Sequence, residues 1–156
     1  MTLQNNPDLI LDIKKVGCLF LTLIRIAELE SNTELSVHNI NYIWNISKRK
    51  HYIDNNNTMN NPDGVLREAF FILQRPTIVI SQVGIEKQGK KVYWQWARNK
   101  YEDYKYKIEK VATLGKIGTH FRLCNKNSEL IYDSYSWTNY SHKKLHEYTL
   151  YSILRG

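Results

Sequence analysis

The sequence predicts an α+β protein in which N-terminal helices pack on a C-terminal antiparallel β-sheet. Three observations predict it. Apolar residues recur at helical spacing up to Pro76, they alternate at strand spacing beyond it, and turn residues punctuate the second half. A chain of 156 residues with 42% hydrophobic content has the size of one domain and can bury a core, so residues 1–156 are read as a single domain.

The first helix is expected from Gly17 to Glu30. Cys18, Leu21, Leu23, Ile24 and Ala27 form its apolar stripe, and Leu19, Phe20 and Ile26 widen that stripe nearly all round, the pattern of a deeply buried helix. Ser31 and Asn32 end it. Ser36 has the chemistry of an N-cap for a second helix carrying Val37, Ile40, Ile43 and Trp44, and Lys48, Arg49 and Lys50 at its end complement the helix dipole. Residues 54–64, DNNNTMNNPDG, read as a polar loop. Pro62-Asp63 opens a third helix through VLREAFFILQR, which must stop before Pro76 because the residue preceding proline is forced out of the helical region.

Strands are then expected in TIVISQVGI, KVYWQWA, YKYKIEKVATL, THFRLC, ELIYDSY and YTLYSILR. The turn EKQGK joins the first two, and Asn125 to Ser128 closes a later hairpin. Runs of helices followed by runs of strands define the α+β class.

No stretch reaches the ~20 apolar residues that cross a bilayer; GCLFLTLIRIA is too short and contains Arg25. The N-terminal MTLQNNPDLILDIKK has no basic stretch leading into an apolar run and a small-residue cleavage site, which predicts a cytoplasmic protein. The two cysteines, Cys18 and Cys124, are too few for a disulfide scaffold and suit a reducing compartment. A formal charge of +7 favours anionic partners, yet the basic residues are scattered, with short clusters only at 48–50, 90–91 and 143–144.

The chemistry concentrates in a few residues. A thiol attacks as its thiolate, which a helix N-terminus and a neighbouring histidine both favour. Cys18 follows Gly17 at the start of the buried helix, where its own backbone N–H can meet an oxyanion and the glycine leaves room for a substrate carbonyl. His120, at the start of a strand, and Asp133, at the end of its hairpin partner, can complete a nucleophile, base and orienter. A structural reading stands beside this one, since cysteine is among the most buried residue types and Asp133-Ser134 can simply end a strand.

The stretches VGCLFLTLIRIAE and GTHFRLCNKNSELIYDSYS resemble the papain-like cysteine peptidase and amidase superfamily, in particular its bacterial and phage branches of C39-like and NlpC/P60-like type. In these families the nucleophilic cysteine opens a central helix, the base histidine begins a strand, and a polar group follows on the next strand. The resemblance implies a papain-like fold, Cys18 as nucleophile, His120 as base, Asp133 as orienter and no cofactor. It also implies a thiol hydrolase acting on peptide or amide bonds, with a peptidoglycan peptide as the suggested substrate and a cytoplasmic protein or isopeptide as second choice. One departure is the glutamine that commonly precedes the cysteine as a second oxyanion donor: Asp12 and its neighbours occupy that region, and the nearest glutamine is Gln4. GCLFLTLIRIAE, with the later NPDGVL and the C-terminal hairpin, also resembles small proteins carried by bacterial prophages and plasmids.

Other residues admit two readings. Trp94 and Trp96 share one face of the expected strand KVYWQWA and are candidate substrate-binding residues, since aromatics interleaved with Lys and Arg stack on sugars or bases; packing of the sheet against the helices explains them equally. His142 and His146 have a spacing that holds a metal on a helix, but no HExxH accompanies them, so no metal is expected. Cys124 lies four residues after His120, on the same strand face, either near the site or as a core thiol. The net charge and the aromatic stretch also support a different class of protein, a non-catalytic phage or mobile-element product that binds a host protein or nucleic-acid complex.

Overall fold

A computed structural model describes residues 1–97, 104–113, 118–135 and 142–155. Among these, four helices precede six strands: α1 (Leu11–Val16), α2 (Cys18–Ser31), α3 (Val37–Arg49), α4 (Pro62–Ile72), β1 (Ile78–Lys87), β2 (Lys90–Tyr93), β3 (Tyr106–Thr113), β4 (Thr119–Asn125), β5 (Leu130–Tyr132) and β6 (His142–Arg155). The architecture is α+β with helices before the sheet.

The helix ends follow their capping chemistry. Ser36 Oγ accepts from Asn39 N at 3.1 Å at the start of α3, and Asn61 Oδ1 accepts from Gly64 N at 2.9 Å ahead of Pro62. Asn32 closes α2 in the left-handed conformation, at φ 47°. The third expected helix ends earlier than its apolar pattern, at Ile72, because Gln74 turns left-handed at φ 59°. A short additional helix, α1, precedes α2; six residues are too few for periodicity to reveal it.

The sheet order is β2-β1-β6-β3-β4-β5, and every pairing is antiparallel. One face packs against the helices: Phe20, Leu23 and Ile24 of α2, Ile40 and Trp44 of α3, and Leu66 and Phe70 of α4 meet Ile80, Ile108, Leu123 and Tyr151 in one core. Residues of opposite parity, Val83, Cys124, Tyr148 and Leu150, form a smaller cluster with Ala97 and Tyr104 on the other face. Asp63 in the first turn of α4 accepts from Gln82 N at 3.2 Å and ties that helix to β1.

Two expectations about local structure are corrected. The strand KVYWQWA is only four residues long, ending at Tyr93, and Trp94 begins a turn closed by Ala97 N donating to Trp94 O at 2.9 Å. The tryptophans therefore do not share a strand face. His142 and His146 lie on β6 rather than on a helix, so four residues separate them by roughly 13 Å along the strand and they do not form a pair. No helix among the described residues is long and apolar enough to cross a membrane, and no described group of three or more His, Cys, Asp or Glu side chains could hold a metal ion.

Candidate active site

Cys18 is the first residue of α2, and Gly17 is both the C-cap of α1 and the N-cap of α2. Gly17 is required here for space. A Cβ would stand 2.5 Å from Ile13 O and 2.7 Å from Ile13 Cγ2, so only glycine lets α1 turn directly into α2. Gly17 therefore serves the helix junction. Gly17 N donates to Ile13 O and Leu21 N to Gly17 O, each at 2.8 Å. The first-turn amides of α2, Cys18 N included, precede the first intrahelical donor and have no acceptor within the helix.

His120 is 1% exposed, Cys18 8% and Asp133 6%. His120 Nε2 lies 2.7 Å from Asp133 Oδ1, and the Cys18 thiol is near enough to the imidazole to favour its charged form. Burial works against a charged imidazole, but the bonds and charges of Asp133 and Cys18 outweigh it and raise the pKa from 6.5 to about 9. Tyr135 stacks on the imidazole with ring centroids 3.9 Å apart and planes within 6°. Its backbone N–H donates to Asp133 Oδ1 at 2.8 Å. Burial, then the Cys18 and Asp133 charges, push the Tyr135 hydroxyl pKa up.

A cleft of about 600 Å³ opens beside Cys18. Leu19, Phe20, Trp44, Ile53, Met59 and Phe121 supply its apolar wall, Asn57 and Thr58 its polar rim, and Lys15 a cation, with Tyr135 on the histidine side.

The structure therefore brings Cys18, His120 and Asp133 together and leaves the other candidates aside. Trp94 is half-buried against the second cluster and Trp96 is 54% exposed; neither lines the cleft. Cys124 is a free core thiol whose pKa is pushed up to about 11 by burial and by Glu109. Gln4, named above only as the nearest glutamine upstream of the cysteine, is 1% exposed and lies close to the site. Its Nε2 donates to Lys14 O at 3.1 Å, its Oε1 accepts from Ser134 Oγ at 2.8 Å, and its side chain also bonds the Tyr135 hydroxyl. This glutamine joins the segment beside Asp133 to the end of α1. It stands fourteen residues before Cys18, and only the folded chain brings it close to the site. The clusters at 48–50 are partly engaged within the molecule, since Lys48 Nζ donates to Asp54 O and Asn57 Oδ1 and Lys50 Nζ pairs with Glu68.

Fold and site together define an α+β protein with a buried cysteine, histidine and aspartate grouped at the head of its central helix. The chain belongs to the family described as protein of unknown function, DUF261, which it matches over residues 1–152. No curated protein and no solved structure matches it.

Proposed function

We propose that the chain is a thiol hydrolase of papain-like architecture that cleaves peptide or amide bonds. The observation that carries this reading is one buried imidazole bonded to Asp133 and lying beside a thiol at a helix N-terminus. His120 holds the proton of the Cys18 thiol as Sγ attacks the carbonyl carbon, and the oxygen of the tetrahedral intermediate is met by the Cys18 backbone N–H. Collapse breaks the C–N bond, His120 delivers its proton to the departing amine, and a thioester remains on Cys18. Water then attacks the thioester, giving up a proton to His120, and release of the acid restores the thiol. Asp133 holds the ring while it is charged, and Tyr135 covers its face.

The cleft indicates the substrate class. Its apolar wall suits a bulky hydrophobic side chain or acyl group, while Lys15 favours a nearby carboxylate over an amine. Peptidoglycan peptides and protein isopeptides are the amides to screen first.

The test is alkylation of the folded protein by iodoacetamide across pH, read by mass spectrometry. Cys18 is expected to label at neutral pH and to slow markedly in His120→Ala, with Cys124 unmodified as the internal control. A Cys18 that stays inert in the folded protein would remove the nucleophile and with it the hydrolase reading.

A further inference from the structure

Asp133 is engaged on both oxygens. Oδ1 receives His120 and the Tyr135 amide, while Oδ2 faces the Arg122 guanidinium, with Nη1 at 3.9 Å. Arg122 is bound more closely to a second carboxylate, donating from Nε to Glu109 Oε1 at 2.6 Å. Arg122 lies two residues beyond His120 on β4 and faces Glu109 across the β3–β4 pairing.

The chain of charges continues from there. Tyr148 hydroxyl lies 3.4 Å from Glu109 Oε2, and its ring is 4.9 Å from Lys107 Nζ. Lys107 is held by Glu86 at 3.1 and 3.3 Å and by Ser128 Oγ at 2.8 Å. All six ionisable members are buried: Glu86, Lys107, Glu109, Arg122, Asp133 and His120. Three carry carboxyl groups and two carry basic groups, so paired charges along the chain balance only when His120 is an imidazolium. Unbalanced charge in a protein interior is strongly disfavoured.

We propose that Asp133 is shared between His120 and Arg122 and that Glu109 sets the share, so that a buried ion chain on the sheet face away from the helices tunes how tightly the base holds its proton. Arg122 and Glu109 are then positioning residues that act through Asp133. The groups facing His120 are Cys18 from α2, and Asp133 and Tyr135 from the segment following β5; Arg122 from β4 and Glu109 from β3 reach it only through Asp133. This inference rests on the reading of Cys18, His120 and Asp133 as the catalytic group.

The arrangement makes two neutralising substitutions act in opposite directions. Arg122→Met releases Asp133 wholly to His120 and removes a cation, so the imidazole should hold its proton to higher pH. Glu109→Gln frees Arg122 to draw on Asp133 and removes an anion, so the imidazole should lose its proton at lower pH. Each shift should be on the order of one pH unit.

The measurement is an NMR titration of the histidine side chains, with the His120 signal assigned by its absence in His120→Ala. A rise in Arg122→Met with a fall in Glu109→Gln is the expected result. If both fall, as loosening of Asp133 alone would produce, or if neither moves, the inference is overturned. Should Arg122→Met fail to fold, the double variant Arg122→Met/Glu109→Gln, which deletes a neutral pair, is compared with Glu109→Gln; the added substitution must raise the titration point. Alkylation of Cys18 in the same samples separates the two ideas. Opposite shifts with an inert Cys18 retain the ion chain and remove the hydrolase, whereas a reactive Cys18 with shifts of one sign does the reverse.

Discussion

Asp133→Asn keeps the size and hydrogen-bonding shape of the carboxyl group while deleting the charge that holds His120 protonated. In the wild-type protein the imidazole pKa is raised from 6.5 to about 9, so folding favours the protonated ring. That contribution to stability is fully present below the unfolded pKa and disappears as pH rises through about 9. At about 1.4 kcal/mol per pH unit it amounts to on the order of 3 kcal/mol. With asparagine in place, only the Cys18 interactions oppose burial and the rise in pKa is smaller, so the loss between neutral and alkaline pH should shrink. Urea unfolding followed by circular dichroism, at a pH below 6.5 and again above 9, measures this directly. The wild type should lose more stability than the variant between the two conditions, by a share of those roughly 3 kcal/mol. Equal losses in the two proteins would refute the argument, because the pH dependence would then come from other groups.

Gly17→Ala should destabilise the fold by about 1–3 kcal/mol through overpacking, since its Cβ would press on the Ile13 carbonyl; chemical denaturation measures the loss, and slower Cys18 alkylation would show that the helix junction positions the thiol. Under the proposed mechanism, amide hydrolysis should decline as pH rises through about 9, where His120 loses its proton; a pH–rate profile still climbing beyond that point would exclude His120 as the acid.

The long helices and the change to strands at Pro76 were legible because burial on one face imposes a period of 3.6 or 2 on the apolar residues, and α3, with Ile40, Ile43, Trp44 and Ser47 buried, writes that period plainly. Where packing does not enforce a period, the pattern misled: Trp94 and Trp96 alternate like strand residues yet lie in a turn. His146 was read as helical, but it sits on β6, where Glu147 and Tyr148 pair with Lys87 and Glu86 of β1. Cys18, His120 and Asp133 could be picked out by residue type and by their places at element ends.

Their meeting was another matter. The sequence by itself determined the composition of the core, the order of helices and strands, and the nomination of a cysteine at a helix start. Only the tertiary structure decided that His120 bonds Asp133 and lies beside Cys18, that Gln4 reaches Ser134 and Tyr135, and that Arg122, Glu109 and Lys107 bury their charges in one chain. Local periodicity reports which face of an element avoids water, a property of neighbours along the chain. Pairing of buried polar groups depends on strand register and on contacts between distant residues, which the pattern of a single segment does not encode.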